Sequence, residues 1–95
     1  MTSPEEYISM SLNSKQRKTL EAIFEKPTRA NIVWADVEKL FVALGGRIVE
    51  GKGSAIKIEI DGELAYFHRP HPNKEAKRYQ IDDARKFLIM LEYLP

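Results

Sequence analysis

The dipeptide Asp61-Gly62 constrains this chain more than any other feature. It separates two runs of alternating apolar and polar residues, 55–60 and 63–68. A two-residue loop of type I′ needs positive φ at both central residues, which Asp and Gly tolerate. A loop of that length also sets the register of the two strands. Ile60 then lies opposite Glu63, Ile58 opposite Ala65 and Ile56 opposite Phe67. Between those rungs Glu59 meets Leu64, Lys57 meets Tyr66 and Ala55 meets His68. Successive side chains of a strand point to opposite faces. One face therefore carries Ile56, Ile58, Ile60, Ala65 and Phe67 and belongs to the core. The other carries Lys57, Glu59, Tyr66 and His68 and is left for solvent or a ligand.

The rest of the chain supplies helices to cover the apolar face. Residues 1–12 show no clean period and read as a flexible leader. Residues 13–95 read as a single domain, in keeping with the length. A chain of this size buries somewhat more than ~60% of its unfolded surface, enough for one modest core. Asn13 suits a helix cap, with Gln16 where a capping box wants it. Leu20, Ile23 and Phe24 form the apolar face of that first helix, within 13–26, and Pro27 stops it. A connector, 28–33, leads to a second helix over 34–44. Val33, Val37, Leu40, Phe41 and Leu44 follow helical spacing. Asp36 and Glu38 lie near its positive end, and Gly45-Gly46 ends it. Arg47 to Glu50 is a short first strand, and residues 51–54 turn the chain into the hairpin. Pro70 and Pro72 take the chain out of the sheet. A polar loop follows over 73–79. The last helix is expected from Ile81 to Glu92, with Asp82 and Asp83 in its first turn. Ile81, Ala84, Leu88 and Leu91 mark its buried stripe, with Phe87 beside them. The order is α-α-β-β-β-α, an α+β fold with a three-stranded antiparallel sheet.

Composition removes several kinds of chemistry. The chain has no cysteine, so disulfides and thiolate nucleophiles are excluded. No apolar run approaches the roughly 18 residues of a membrane span. The two histidines, His68 and His71, come with no third ligand at a recognisable spacing, so no metal or cofactor is expected. Gly51-Lys52-Gly53-Ser54 lacks the spacing of a P-loop. Ser54, His68 and a carboxylate make a triad only on paper, because no nucleophile elbow is present. The net charge of +1 says little about partners. Its distribution says more, since Arg69, Lys74, Lys77 and Arg78 crowd the segment after the hairpin beside His68 and His71. Such a run is either a solvated loop or one that faces phosphate. His68 stands out on the open face. An unperturbed imidazole titrates near pH ~6.5, suitable for acid–base work. Lys57, close by, suits charge stabilisation on a phosphate in flight.

From Val37 to Leu91 the chain resembles the HicA (YcfA-like) toxins of bacterial toxin–antitoxin systems. The resemblance rests on an ordered set of pieces. A helix with Lys39-Leu40 and Leu44-Gly45 precedes Gly51-Lys52-Gly53-Ser54. His71-Pro72-Asn73-Lys74-Glu75 follows the hairpin, and Ala84-Arg85 and Leu88 lie in the closing helix. The first helix looks like an addition found in a subset of such proteins. The resemblance implies a fold similar to the double-stranded RNA-binding domain, with helices on one face of the sheet. It also implies metal-independent cleavage of mRNA, a HicB-type antitoxin that blocks the active site, and a bacterial, cytoplasmic setting without a membrane. In most of the family a histidine follows the Gly-Ser pair and is the catalytic one. Here that position is Ala55.

Three explanations follow for Ala55. The chain is inactive, or its catalytic histidine lies elsewhere, or it is a binding module. His68 falls directly across from Ala55, and opposite Cβ atoms of an antiparallel pair are ~4.5–5.5 Å apart. A relocated histidine is therefore the preferred reading, with His71 as second choice. The expected catalytic set is His68, Lys57 and Tyr66. The expected RNA- or phosphate-binding set is Lys52, Gly53, Ser54, Arg69, Lys74 and Lys77. A non-catalytic RNA-binding domain and an antitoxin-binding module are the competing functions.

Overall fold

The computed structural model of the protein describes residues 12–95. The leader expected over 1–12 lies outside them except for Leu12, which is 2% exposed and part of the core. The first helix, α1 (Ser14–Ile23), begins as its capping signal requires. The Gln16 N–H donates to Asn13 Oδ1 at 2.8 Å, and the Asn13 N–H donates to Gln16 Oε1 at 3.0 Å. A cap of this kind typically contributes ~1 kcal/mol. The second helix, α2 (Trp34–Ala43), ends at Leu44. Gly45 follows it with φ +90°, a conformation that costs glycine nothing.

Three strands then form one antiparallel sheet in the order β1 (Arg47–Glu50), β2 (Ala55–Ile60), β3 (Glu63–His68). Every rung expected between β2 and β3 is present, from Ile60 with Glu63 to Ala55 with His68. Asp61 and Gly62 have φ values of 52° and 80°, which is the type I′ geometry that sets this register. On the outer side of β2, β1 pairs Arg47 with Glu59 and Ile48 with Ile58.

The closing helix, α3, runs from Arg78 to Met90, so it starts three residues before the expected Ile81. Its first turn is polar and therefore falls ahead of the apolar stripe. It is closed by Gln80, whose Oε1 accepts the Lys77 N–H at 2.8 Å. Asp82 and Asp83 consequently lie in the second turn rather than the first. Asp82 instead accepts the Thr28 hydroxyl at 2.6 Å and pairs with Arg85 at 3.3 Å.

The core lies between the sheet and the helices. Ile56, Ile58, Ile60 and Phe67 enter from the sheet, and Leu20, Ile23, Val37, Leu40, Phe41, Ile81, Ala84, Phe87 and Leu88 from the helices. Phe41 joins the two layers, with ring centroids 6.0 Å from Phe67 and 5.8 Å from Phe87. Trp34 is buried against Phe67, 5.3 Å away. Ala65 is half-buried rather than buried, because it lies on β3, an edge strand. Val33 precedes the first turn of α2 and is exposed. Leu91 caps α3 and is only half-buried.

Candidate functional site

The face of the sheet opposite the helices carries Arg47 and Val49 from β1, Ala55, Lys57 and Glu59 from β2, and Leu64, Tyr66 and His68 from β3. Their placement follows from alternation about the buried isoleucines and Phe67. Arg47 and Glu59 neutralise one another at 3.3 Å. Lys57 is half-buried on the central strand, directly opposite Tyr66, which is 72% exposed. The next rung on this face, about 7 Å along the strands, is Ala55 with His68. His68 is exposed, and its Nδ1 lies 3.5 Å from Ser54 Oγ, the outer limit of a hydrogen bond. The expected catalytic residues therefore share one open surface, with Ser54 at its edge.

Their surroundings are tied down at the end of β3. The His68 carbonyl accepts Gln80 Nε2 at 2.6 Å. The next N–H, that of Arg69, donates to the Ser54 carbonyl at 2.8 Å. Gly51-Lys52-Gly53-Ser54 forms a tight exposed turn in which the Gly51 N–H donates to the Ala55 carbonyl and the Ala55 N–H to the Lys52 carbonyl.

Arg69 does not join His68. Two residues beyond buried Phe67, it points to the helix side of the sheet, where two carboxylates hold it. Glu38 of α2 accepts its Nε at 2.8 Å and Nη2 at 3.1 Å. Glu50 of β1 accepts Nη1 at 2.6 Å and Nη2 at 2.8 Å. Glu38 also accepts the Trp34 indole N–H at 2.5 Å. These hydrogen bonds hold the Glu50 carboxyl below its ordinary range and raise the Arg69 guanidinium above its own. Arg69, expected as a phosphate ligand, forms an ion-paired strut between α2, β1 and β3. Alternation beyond Phe67 contains the signal for its side, but Glu38 and Glu50 meet it only through tertiary packing.

The other expected phosphate contacts are dispersed. Lys52 and Gly53 are exposed in the turn beside Ser54. Lys77 is exposed immediately before α3. Lys74 is exposed on the helix side, beside a mainly apolar groove of about 700 Å³ whose wall includes Trp34, Val42, Ile48 and Pro70. That groove contains none of His68, Lys57 and Tyr66. His71 is exposed in the loop between β3 and α3 and has no partner in the sheet register. Gln80, which sequence reasoning passed over as a loop-to-helix boundary, is buried.

A family model described as the HicA toxin of bacterial toxin–antitoxin systems matches residues 34–86, more than half of the chain. No curated protein and no solved structure gives a significant match. The chain belongs to the HicA toxin family. The matched span opens with α2, takes in the whole sheet, and ends within α3. It leaves out α1. Among the described residues, no helix is long and apolar enough to cross a membrane.

Proposed function

We propose that this chain is an mRNA-cleaving toxin, a metal-independent endoribonuclease held in check by a HicB-type antitoxin, with its reactive centre on the open face of the sheet. The observation that carries this reading is the pairing of Ala55 with His68. Ala55 occupies the position after Gly-Ser where the family places its histidine. His68 returns an imidazole to the same patch from the neighbouring strand. The likeness to double-stranded RNA-binding domains belongs to the same reading, since such folds meet A-form RNA by shape through phosphate and 2′-OH contacts.

RNA supplies its own nucleophile. His68 takes the proton of the 2′-OH as the O2′–P bond forms. The P–O5′ bond breaks, and the leaving 5′-oxygen takes its proton from solvent water. The products are a 2′,3′-cyclic phosphate and a 5′-hydroxyl end. Lys57, on the adjacent rung, stabilises the charge that accumulates on the phosphorane. Tyr66 offers an exposed ring and hydroxyl to orient a base or phosphate. Ser54 and the turn over 51–53 bind a neighbouring phosphate, with Lys52 at the tip and Lys77 before α3. Arg69, committed to its carboxylates, supports the strand rather than the RNA.

Incubation of purified protein with RNA in EDTA tests the chemistry. Cleavage to cyclic-phosphate ends that persists with chelator is expected. Cleavage that vanishes with chelator refutes the metal-free mechanism, and salt-dependent RNA binding without cleavage at any protein concentration favours a binding domain. Expression of the chain without a partner is expected to arrest growth, and co-expression of the antitoxin to relieve it.

A further inference from the structure

We infer that Gln80 is a positioning residue for His68: its amide locks the end of β3 to the start of α3 and so fixes where the imidazole stands over the sheet. This rests on the reading of His68 as the acid–base group.

Two polar side chains are buried among the described residues, Thr19 and Gln80. Thr19 returns its hydroxyl to the Lys15 carbonyl of its own helix at 3.0 Å, a local bond. Gln80 does something different. Its Oε1 accepts the Lys77 N–H at 2.8 Å, and its Nε2 donates to the His68 carbonyl at 2.6 Å. Closing the first turn of a helix requires only an acceptor, which an exposed side chain supplies as well. Burying a whole primary amide is unfavourable unless its polar atoms are bonded. The second bond, across to β3, is what makes the buried amide specific.

The His68 carbonyl and the Arg69 N–H belong to one planar peptide unit. Gln80 holds the carbonyl end from α3, and the Ser54 carbonyl holds the N–H end at 2.8 Å. Both polar atoms of that plane are therefore fixed, which sets ψ of His68. The imidazole hangs from the same Cα. Held at both ends, that plane anchors the last residue of β3, so releasing the carbonyl loosens the strand end that carries the ring beside Ala55, Ser54 and Lys57. The Arg69 strut to Glu38 and Glu50 holds the following residue in the same way. Gln80 also bonds a member of each proposed set, Lys77 of the phosphate-binding set and His68 of the reacting set.

The test compares the parent chain with Gln80→Leu, Gln80→Glu and His68→Ala in single-turnover and steady-state RNA cleavage. Folding is checked by circular dichroism and by fluorescence of Trp34, the only tryptophan. A misplaced reacting group costs up to ~10²-fold, so Gln80→Leu is expected to lower kcat by about 10–100-fold with KM nearly unchanged. Gln80→Glu puts a carboxylate against the His68 carbonyl and falls similarly at neutral pH. On acidification its carboxyl protonates, regains a donor, and its kcat relative to the parent climbs back. A buried carboxyl titrates above the ordinary range, so this recovery begins in mildly acidic buffer. A folded Gln80→Leu with parental kcat overturns the inference. So does a Gln80→Glu ratio that stays flat with pH, which decides the matter if Gln80→Leu does not fold. Loss of cleavage in His68→Ala with parental activity in Gln80→Leu removes only the role of Gln80. Full cleavage by His68→Ala removes the reading of His68 beneath it.

Discussion

Phe67→Ala tests the face assignment on which the site depends. The Phe67 ring is 5% exposed and lies between Trp34, 5.3 Å away, and Phe41, 6.0 Å away. Burying a phenylalanine side chain contributes about 1.5–3 kcal/mol in transfer free energy. Truncation forfeits most of that and also leaves a cavity between two rigid rings from different elements. Neither neighbour can collapse far, because Trp34 is tethered to Glu38 and Phe41 is also packed on Phe87. Phe→Ala losses in such settings run to ~3–5 kcal/mol. Domains of this kind have total stabilities of about 5–15 kcal/mol, so the variant sits near the edge of folding. Each kilocalorie moves Tm by about 4–8 °C in a domain of this size, so a drop on the order of 20 °C is expected. Urea denaturation followed by Trp34 fluorescence reads the loss beside the site of change. Leu64→Ala, on the open face of the same strand, is the control and should stay within about 0.5 kcal/mol. A Phe67→Ala loss below about 1 kcal/mol would mean that the ring is not buried, and would invert the faces and the site with them.

Other outcomes follow from the same contacts. A Cβ at Gly46 would lie 2.6 Å from the Phe41 carbonyl oxygen and 2.9 Å from Ile60 Cγ1, so Gly46→Ala should destabilise by about 1–3 kcal/mol in the same urea assay. The Glu50 carboxyl is held below 4.5 by the Arg69 hydrogen bonds, so its contribution to stability is present above that pH and lost as the pH falls through the lowered value. Glu50→Gln should therefore be less stable than the parent near neutrality, with the difference shrinking below pH about 4.5 in acid titrations of unfolding. A gap that widens in acid would contradict that sign.

The parts of the fold governed by local rules were legible in the sequence. Asp61-Gly62 determined a register that holds at every rung, and Asn13 with Gln16 located the start of α1. The faces of β2 and β3 followed from period-2 alternation, and so did the gathering of Lys57, Tyr66, Ala55 and His68. Features that depend on contacts between distant segments were less legible. The start of α3 was missed because Arg78-Tyr79-Gln80 carries no apolar stripe and its capping acceptor lies inside the helix at Gln80. Leu12 has no periodic neighbours in sequence, yet it is buried as part of the core cluster. Arg69 reads as one more cation in a basic run. Only the meeting of α2, β1 and β3 brings Glu38 and Glu50 to its guanidinium. Membership of the HicA toxin family rests on residues 34–86, and the proposed chemistry rests on the pairing of Ala55 with His68 within that span.

RNA cleavage in EDTA by four chains, the parent, His68→Ala, His71→Ala and Ala55→His, tests the relocated histidine most directly. Acid–base groups contribute ~10²–10⁴-fold, so His68→Ala should lose cleavage by about that factor while its unfolding curve stays near the parent's. His71→Ala should cost much less, because no strand register aligns it with Ala55. Ala55→His should add little, since the patch already holds an imidazole. Parental cleavage that survives His68→Ala, or an inactive parent that gains cleavage only through Ala55→His, would contradict the account.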